Sequence, residues 1–234
     1  ASGLERPCGA GTAANQDASY PYIVQSRYRG GPFTHYAGEG AIKSAKVYYG
    51  DEAVDLSSCR STGIYEEGDG YRKLIVRPVE VTFSGLSVEI ESSYTFKENS
   101  GLIEISRKVV SSTDPNAKII VEEYITSCWG THEYPEELSG SKLSITGSDG
   151  SYNEIDYQYL CRREAVDAVQ SVSAVIPMVQ TAISMRPLSG VCGGYYEEGY
   201  SFSPNLKLGI TAAVSSGESL VTEMEISQAK GEDI

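Results

Sequence analysis

The stretch Leu-Ser-Val-Glu-Ile-Glu-Ser-Ser-Tyr-Thr-Phe, residues 86–96, alternates apolar and polar side chains over most of its length. Successive side chains of a β-strand point to opposite faces of the sheet, so this period of two predicts a strand with one buried and one exposed face. The alternation resumes over residues 102–110, after the turn sequence Glu-Asn-Ser-Gly. The two segments are therefore expected to pair as neighbouring strands of an antiparallel sheet.

Further β-type segments lie on both sides of this pair. Residues 72–83 are rich in β-branched and aromatic side chains, and residues 117–125 follow a turn as the next strand of an antiparallel meander. A hairpin is expected over residues 142–160, around the turn sequence Gly-Ser-Asp-Gly. Two more strands are expected at 207–214 and 219–227.

Residues 163–185 fit two patterns. Several Val and Ile residues follow helical spacing there, but period two fits as well, and Pro177 would interrupt a helix. We favour strands and expect at most one helix near 163–185. About ten strands, separated by turns at intervals of roughly 8–12 residues, predict an all-β fold, either an antiparallel β-sandwich or a barrel.

No segment has the composition of a linker between two independent cores, so one domain is expected. Residues 1–40, rich in Gly, Pro and Tyr, are expected to form an extended N-terminal segment that packs on the domain. Residues 41–228 then form the single β domain, and residues 229–234 a loose polar tail.

The charge of the chain excludes several classes of partner. The 234 residues include 19 Lys and Arg against 32 Asp and Glu, a net charge of −13. Nucleic-acid binding requires a cationic face, so no nucleic acid is expected as a partner. No membrane partner is expected either, because no apolar run approaches the ~18 residues that span a bilayer. Only two close arginine pairs, Arg27 with Arg29 and Arg162 with Arg163, could offset the acidity locally.

The cysteines and the N-terminus favour a secreted or extracytoplasmic protein. The chain begins Ala-Ser-Gly without a methionine, as a processed mature form would. One or two disulfides across a β-rich domain, with one thiol left over, are favoured over five reduced thiols. These cysteines are widely spaced, at Cys8, Cys59, Cys128, Cys161 and Cys192.

The segment Ser-Cys-Trp-Gly-Thr-His-Glu-Tyr-Pro-Glu-Glu, residues 127–137, is the densest group of reactive side chains. It follows a predicted strand directly and is therefore expected at the rim of a sheet, where rigid strands would hold it. Its histidine and tyrosine, His132 and Tyr134, are candidates for proton transfer. Trp129, the only tryptophan, is the candidate platform for a sugar, and Glu133 a candidate binding residue.

A second candidate group lies in residues 20–36. His35, the other of two histidines, and Arg27 would assist catalysis if this segment crosses the same rim, and Tyr28 and Tyr36 would bind substrate. A set of His, Tyr, Arg and Glu suits proton abstraction beside a carboxylate or carbonyl, because arginine neutralises the developing enolate. This chemistry predicts a lyase or an epimerase.

Hydrolysis of a glycosidic bond would instead require two carboxylates, roughly 5–9.5 Å apart. One could come from Glu133, Glu136 or Glu137, and the other from Glu66 or Glu197. The last two belong to a recurring Tyr-Glu-Glu-Gly sequence, which we interpret as two similar loops.

No cofactor is expected. The chain has no HxH or HxxxH sequence for catalytic zinc. Calcium is the one metal with a candidate site, at Asp149, Asn153, Glu154 and Asp156, but the spacing departs from that of an EF-hand and fits an ordinary turn better.

Seventeen tyrosines against four phenylalanines favour a surface that is half wet and half dry, as sugar binding requires. Long alternating strands that end in an acidic, aromatic rim resemble sugar-processing β-sandwiches in general, which is a likeness of fold and not of activity. The first hypothesis is a secreted carbohydrate-active protein with acid–base chemistry on a saccharide or another small polar ligand. A lectin-like binding module and a structural shell or surface protein, which would be a homo-oligomer, are the alternatives.

Overall fold

A computed structural model gives the fold. It describes residues 22–25, 40–59, 61–127, 140–158, 160–177, 181–200 and 203–229. The described part contains sixteen β-strands and one turn of 3₁₀ helix at Leu56–Ser58. The strands are β1 (Tyr22–Gln25), β2 (Gly40–Tyr49), β3 (Glu52–Asp55), β4 (Gly63–Gly68), β5 (Tyr71–Phe83), β6 (Leu86–Lys97), β7 (Leu102–Ser112), β8 (Ile119–Ser127), β9 (Lys142–Gly147), β10 (Tyr152–Asp156), β11 (Arg163–Val166), β12 (Val169–Ile176), β13 (Thr181–Pro187), β14 (Gly193–Tyr200), β15 (Ser203–Val214) and β16 (Ser219–Gln228).

The strands form two antiparallel sheets. The seven-stranded sheet has the order β1-β2-β8-β15-β14-β11, with β3 paired to β2, and the nine-stranded sheet has the order β10-β9-β12-β13-β16-β7-β6-β5-β4. The sheets pack face to face where β12 and β13 lie against β14 and β15. The fold is therefore an open β-sandwich, as predicted, and not a closed barrel.

The last two strands occupy the middle of both sheets. β15 lies between β8 and β14, and β16 lies between β7 and β13. β16 thus joins the meander β4–β7 to the strands that follow β8 in the chain. Neither sheet can be completed before residues 203–228 are in place, so much of the fold depends on contacts between residues distant in sequence.

Alternation along the strands builds the core between the sheets. In β9, for example, Leu143 and Ile145 are buried while the intervening residues are partly exposed. The same pattern on β8 turns Val121 and Ile125 inward, with no exposed surface on either. Among the described residues, no helix is long and apolar enough to span a membrane.

A buried ion pair crosses the sandwich. Arg107 on β7 of the nine-stranded sheet donates from Nε and Nη2 to the two carboxylate oxygens of Glu123 on β8, at 2.6 and 2.9 Å. Both residues are almost wholly buried, and the guanidinium lies 4.8 Å from the centre of the Tyr94 ring. Burial alone would lower the pKa of Arg107. The charge of Glu123 outweighs burial and raises this pKa above its usual value, so the arginine is charged. The bidentate geometry satisfies two charges that would be costly alone.

The strand predictions for residues 163–185 are confirmed where the structure describes them. Residues 163–166, 169–176 and 181–187 are strands β11, β12 and β13; no described residue there is α-helical, and Pro177 after β12 has a 3₁₀ conformation. The expected number of about ten strands is too low. Short or glycine-rich strands such as β3, β4 and β14 lack the alternation that marks β6.

Two local predictions are wrong. The segment 117–125 was expected to continue the meander, but β8 leaves the nine-stranded sheet and pairs with β2 and β15. An alternating pattern identifies a strand but not the sheet that it joins. The two Tyr-Glu-Glu-Gly sequences are not loops: one lies in the edge strand β4, and the other in the interior strand β14.

The structure describes part of the predicted N-terminal segment and three of the five cysteines. Within the predicted segment 1–40, Tyr22–Gln25 is strand β1 and pairs with β2, and Gly40 begins β2; the remainder lies outside the described residues. Cys59, Cys161 and Cys192 are free thiols, so the described part of the chain does not support the predicted disulfides. Cys8 and Cys128 lie outside it.

We expect Glu123→Gln to lower the free energy of unfolding by about 3–5 kcal/mol, because it leaves the Arg107 charge buried without its counterion. Replacing both residues by methionine should restore much of that loss. Urea denaturation measures both effects. Glu67→Gln is the control, since Glu67 forms only an exposed pair with Arg72, worth about 0–1 kcal/mol. Equal losses for Glu123→Gln and Glu67→Gln would contradict the role of the buried pair.

Candidate functional site

A cluster of polar and aromatic side chains lies on the outer face of the seven-stranded sheet. Because Glu123 faces the core, the residues on either side of it in β8, Glu122 and Tyr124, face the opposite way. Tyr124 lies beside Gly209 of β15, and Gly209 lies beside Tyr195 of β14. With Tyr48 of β2 and Lys207 of β15, the residues Glu122, Tyr124 and Tyr195 form what we call the Glu122 cluster.

Gly209 creates the space that allows Tyr195 to enter the cluster. A side chain at Gly209 would overlap the Tyr195 ring, because that ring lies across β15 above the glycine. The Tyr195 hydroxyl thereby reaches Glu122 on β8, one strand beyond, and donates a short hydrogen bond to Oε1. The glycine here serves close packing of a ring against the sheet, as glycine within a strand often does.

The carboxylate of Glu122 is the centre of the cluster. Besides the bond from Tyr195, its Oε2 accepts a hydrogen bond from the Tyr48 hydroxyl at 2.6 Å, and its Oε1 one from Lys207 Nζ at 3.2 Å. Burial raises the pKa of Glu122, but the hydrogen bonds from Tyr195 and Tyr48 and the Lys207 charge outweigh burial and lower it below its usual value. Glu122 is therefore an anion at neutral pH whose oxygens are occupied by three donors.

Three cations lie against the two tyrosine rings of the outer face. Lys207 Nζ is 4.1 Å from the centre of the Tyr124 ring and 5.1 Å from that of Tyr195. The Arg163 guanidinium of β11 is 4.0 Å from the Tyr195 ring centre, and Lys46 Nζ of β2 is 5.8 Å from that of Tyr124. The negative faces of the rings favour these positions.

The protonation states in the cluster are fixed around neutral pH. Burial, followed by the charge of Glu122 and the hydrogen bond to it, raises the pKa of Tyr195; burial and the hydrogen bond to Glu122 raise that of Tyr48. Both phenols thus stay protonated while Glu122 stays ionised. A general acid or base works best with a pKa near the working pH, so the cluster is suited to binding and orienting a ligand.

The side chains of the adjacent residues Arg162 and Arg163 lie on opposite faces of the seven-stranded sheet. Arg162 Nε donates to Glu198 Oε1 at 2.7 Å, and the backbone N–H groups of Gln158 and Leu160 donate to the same carboxylate at 2.9 and 3.0 Å. Burial raises the pKa of Glu198, but these donors, Arg162 first, lower it overall. Glu198 thus fixes the connection that leads into β11 and places Arg163 on the outer face.

The eight site residues that the sequence predicts lie outside the described residues. They are His132, Tyr134, His35, Arg27, Trp129, Glu133, Tyr36 and Tyr28, and their roles stay predictions. Of the carboxylates considered for hydrolysis, Glu197 pairs with Arg163 at 3.1 Å beside the cluster, whereas Glu66 lies on β4 of the other sheet. The partner carboxylates considered for either of them, Glu133, Glu136 and Glu137, lie outside the described residues, so this pairing stays a prediction.

None of the residues of the Glu122 cluster was predicted as a site residue, although the sequence contained a signal for it. Glu122 and Glu123 are adjacent and directly follow three apolar residues of the same strand, at 119–121. Because neighbouring side chains point to opposite faces, one of the two had to face the core and find a cation there. The other was then free to build a polar site on the far face.

The candidate calcium ligands lie on the β9–β10 hairpin. Asp149 Oδ1 accepts a hydrogen bond from the backbone N–H of Ser151 at 2.9 Å, which is ordinary turn chemistry. Hydrogen bonds from Ser151 lower the pKa of Asp149. Over the described ranges, no three His, Cys, Asp or Glu side chains are grouped as metal ligands would be. The expectation of no cofactor, with calcium as the one metal that has a candidate site, stays a prediction.

No family model and no curated protein sequence matches the chain. Solved structures do. The α-N-acetylgalactosaminidase NagBb from Bifidobacterium bifidum, in complex with GalNAc, matches with a TM-score of 0.58 and 11% identity over 85% of this chain and 33% of its own. The Slr1438 protein from Synechocystis sp. PCC 6803 matches with a TM-score of 0.52 and 12% identity over 78% of this chain and 73% of its own. A galactose mutarotase-like protein from Clostridium acetobutylicum has a TM-score of 0.49, with 7% identity over 82% of this chain and 80% of its own.

We expect Gly209→Ala to displace Tyr195 from the cluster and to cost about 1–3 kcal/mol of stability, because the new methyl group overlaps the ring. Freed from Glu122, the Tyr195 phenol should ionise closer to its usual pKa of 10.0. Alkaline titration of tyrosinate absorbance would detect one more tyrosine ionising near that pH than in the wild type. In Tyr195→Phe the additional transition should be missing, and a wild-type titration curve for Gly209→Ala would refute the displacement.

The Glu122 carboxylate should make stability depend on pH. Its pKa is lower in the folded chain than its ordinary value of 4.5, so the folded state binds fewer protons there than the unfolded state. Its contribution is complete above pH 4.5 and is lost as the pH falls through the folded pKa. We expect Glu122→Gln to be less stable than the wild type at pH 7, and the gap to narrow below pH 4.5. Denaturant melts across pH 3–7 test this, with the exposed variant Glu66→Gln as control; a gap that is constant with pH would contradict it.

Proposed function

We propose that the protein binds a saccharide on the outer face of the seven-stranded sheet, against the ring of Tyr124. The observation that carries this proposal is a partly exposed tyrosine ring beside a fixed array of hydrogen-bonding and charged groups. A sugar needs an apolar ring surface for its C–H face and polar groups for its hydroxyls. The ring of Tyr124 offers the first, and the charged groups of Lys46, Lys207 and Arg163 around the two rings offer the second.

Lys46, the more distant of the two cations at the Tyr124 ring, can yield to a ligand. Lys46 Nζ lies 5.8 Å from the ring centre, close to the limit of about 6 Å for a cation–π contact. Such a contact at an exposed site is worth only about 0.5–1 kcal/mol. Lys207 is held more firmly, at 4.1 Å and by Glu122, and keeps the ring in place.

The likeness to NagBb supports a saccharide ligand, since that protein is named an α-N-acetylgalactosaminidase and was solved with GalNAc. The match covers only 33% of that glycosidase, so its catalytic activity is not carried over to this chain. The fixed protonation states of the Glu122 cluster favour binding as well.

Acid–base chemistry on the bound saccharide is the second candidate. One observation favours it: β8, which carries Glu122 and Tyr124, ends at Ser127, where the segment with His132 and Tyr134 begins. In this proposal His132 and Tyr134 transfer protons, His35 and Arg27 assist, and the Glu122 cluster holds the sugar. The reaction would be of the lyase, epimerase or hydrolase type.

We expect Tyr124→Leu to weaken saccharide binding about tenfold, because it removes the flat ring but keeps an apolar side chain. Saturation-transfer NMR with a panel of neutral and acidic oligosaccharides finds the ligand, and titration measures the change. The control is Tyr65→Leu, an exposed tyrosine on the edge strand of the other sheet, which should bind as the wild type does. Equal binding by both variants would show that Tyr124 is not part of the binding site.

The same samples, followed with time, separate the remaining hypotheses. New product signals that vanish in His132→Ala indicate an enzyme, and binding without turnover indicates a lectin-like module. Silence across the whole panel, with assembly that grows with protein concentration, would replace the saccharide proposal by a structural role.

A further inference from the structure

The carboxylates near the Glu122 cluster are already committed to partners. Glu122 is only 3% exposed and accepts from Tyr195, Tyr48 and Lys207, so a ligand cannot reach it. Glu197 is turned to Arg163, with a nitrogen-to-oxygen distance of 3.1 Å. The groups left to meet a ligand on this part of the face are therefore mainly hydrogen-bond donors.

Arg163 is the donor best prepared for a ligand. Its side chain is 54% exposed, yet its position is fixed by the Tyr195 ring, 4.0 Å from the guanidinium, and by the bond from Nη1 to Glu197. Nε and Nη2 make no hydrogen bond to any residue in the described ranges. A stacked, half-paired guanidinium of this kind presents a planar pair of donors, which matches the two oxygens of a carboxylate.

Lys46, the partly buried cation at the Tyr124 ring, is less suited to this role. Lys46 lies opposite Asp55 in the pairing of β2 with β3 and beside Glu122 in the pairing of β2 with β8. An ammonium group in that position cannot offer a ligand carboxylate the planar pair of donors that a guanidinium offers. Arg163 also has a carboxylate beside it, Glu197, but that contact uses only Nη1.

We propose that the saccharide is acidic and that Arg163 binds its carboxylate, with Tyr195 beneath the guanidinium as its support. This inference rests on the proposed saccharide function and adds the class of ligand, a uronate-containing sugar. The net charge of −13 does not forbid it, because charges beyond the Debye length of about 8 Å are largely screened at physiological ionic strength.

Calorimetric titration of the wild type with matched pairs of sugars tests the class of ligand. Each pair consists of a uronate oligosaccharide and the neutral oligosaccharide with the same ring configuration and linkage, in the galacto, gluco and manno series. We expect the uronate member of one pair to bind about tenfold more tightly, as a charge-assisted bidentate contact would provide. The preference should shrink as salt is added.

Arg163→Gln and Arg163→Lys test the residue. Glutamine should remove the preference for the uronate while leaving the weaker binding of the neutral sugar. Lysine should restore it only in part, since an ammonium group cannot form the bidentate contact. Arg72→Gln is a matched control: Arg72 is also half exposed and paired to one glutamate, but it lies on β5 of the other sheet.

The outcomes separate this inference from the function on which it rests. Equal binding of both members of every pair, unchanged in Arg163→Gln, would overturn the acidic ligand and leave saccharide binding intact. If Arg163→Gln and Arg72→Gln lost the preference for the uronate equally, that preference would be an effect of net charge. This result would overturn the role of Arg163. No binding by the wild type to any sugar would reject the proposed function itself.

Discussion

The ion pair between Arg107 and Glu123 is the interaction on which the arrangement of this protein depends. It joins the two sheets through the core, with two hydrogen bonds between fully buried groups. Breaking such a pair leaves a charge in a medium that solvates it poorly, so alternatives that separate the partners are strongly disfavoured. The pair therefore decides which face of β8 is turned to the core, and the outer face of the same strand follows from it.

The outer face of β8 carries Glu122 and Tyr124, and its neighbours fit around them. A shift of β8 by one residue would exchange Glu122 with Glu123, taking Glu123 away from Arg107 and Glu122 away from Lys207. The contacts on both faces of β8 thus disfavour the same one-residue shift in register. Gly209 then lets Tyr195 lie across β15, which carries a hydroxyl group from β14 to the carboxylate on β8. Strand β8 consequently carries both the buried ion pair that stabilises the fold and part of the candidate site.

The sequence predicted the sandwich and most of its strands, because alternation as in residues 86–96 follows directly from the geometry of a strand. It could not assign strands to sheets: β8 carries the same pattern as the meander but pairs with β2 and β15. Nor could it show that β14, with its three glycines, is an interior strand, since that depends on packing of Gly194 against Val169. The Glu122 cluster depends on four strands, β2, β8, β15 and β14, meeting side by side, whereas the predicted site residues cluster along the chain.

Binding of a saccharide on the outer face of the seven-stranded sheet would be visible in an amide chemical-shift map of the bound protein. We expect the shifts to concentrate on the middle of β8, on β14 and on the stretch of β15 around Gly209, with the β4–β6 end of the nine-stranded sheet unchanged. Shifts centred on the nine-stranded sheet would contradict the assignment of the ligand face, whichever sugar produced them.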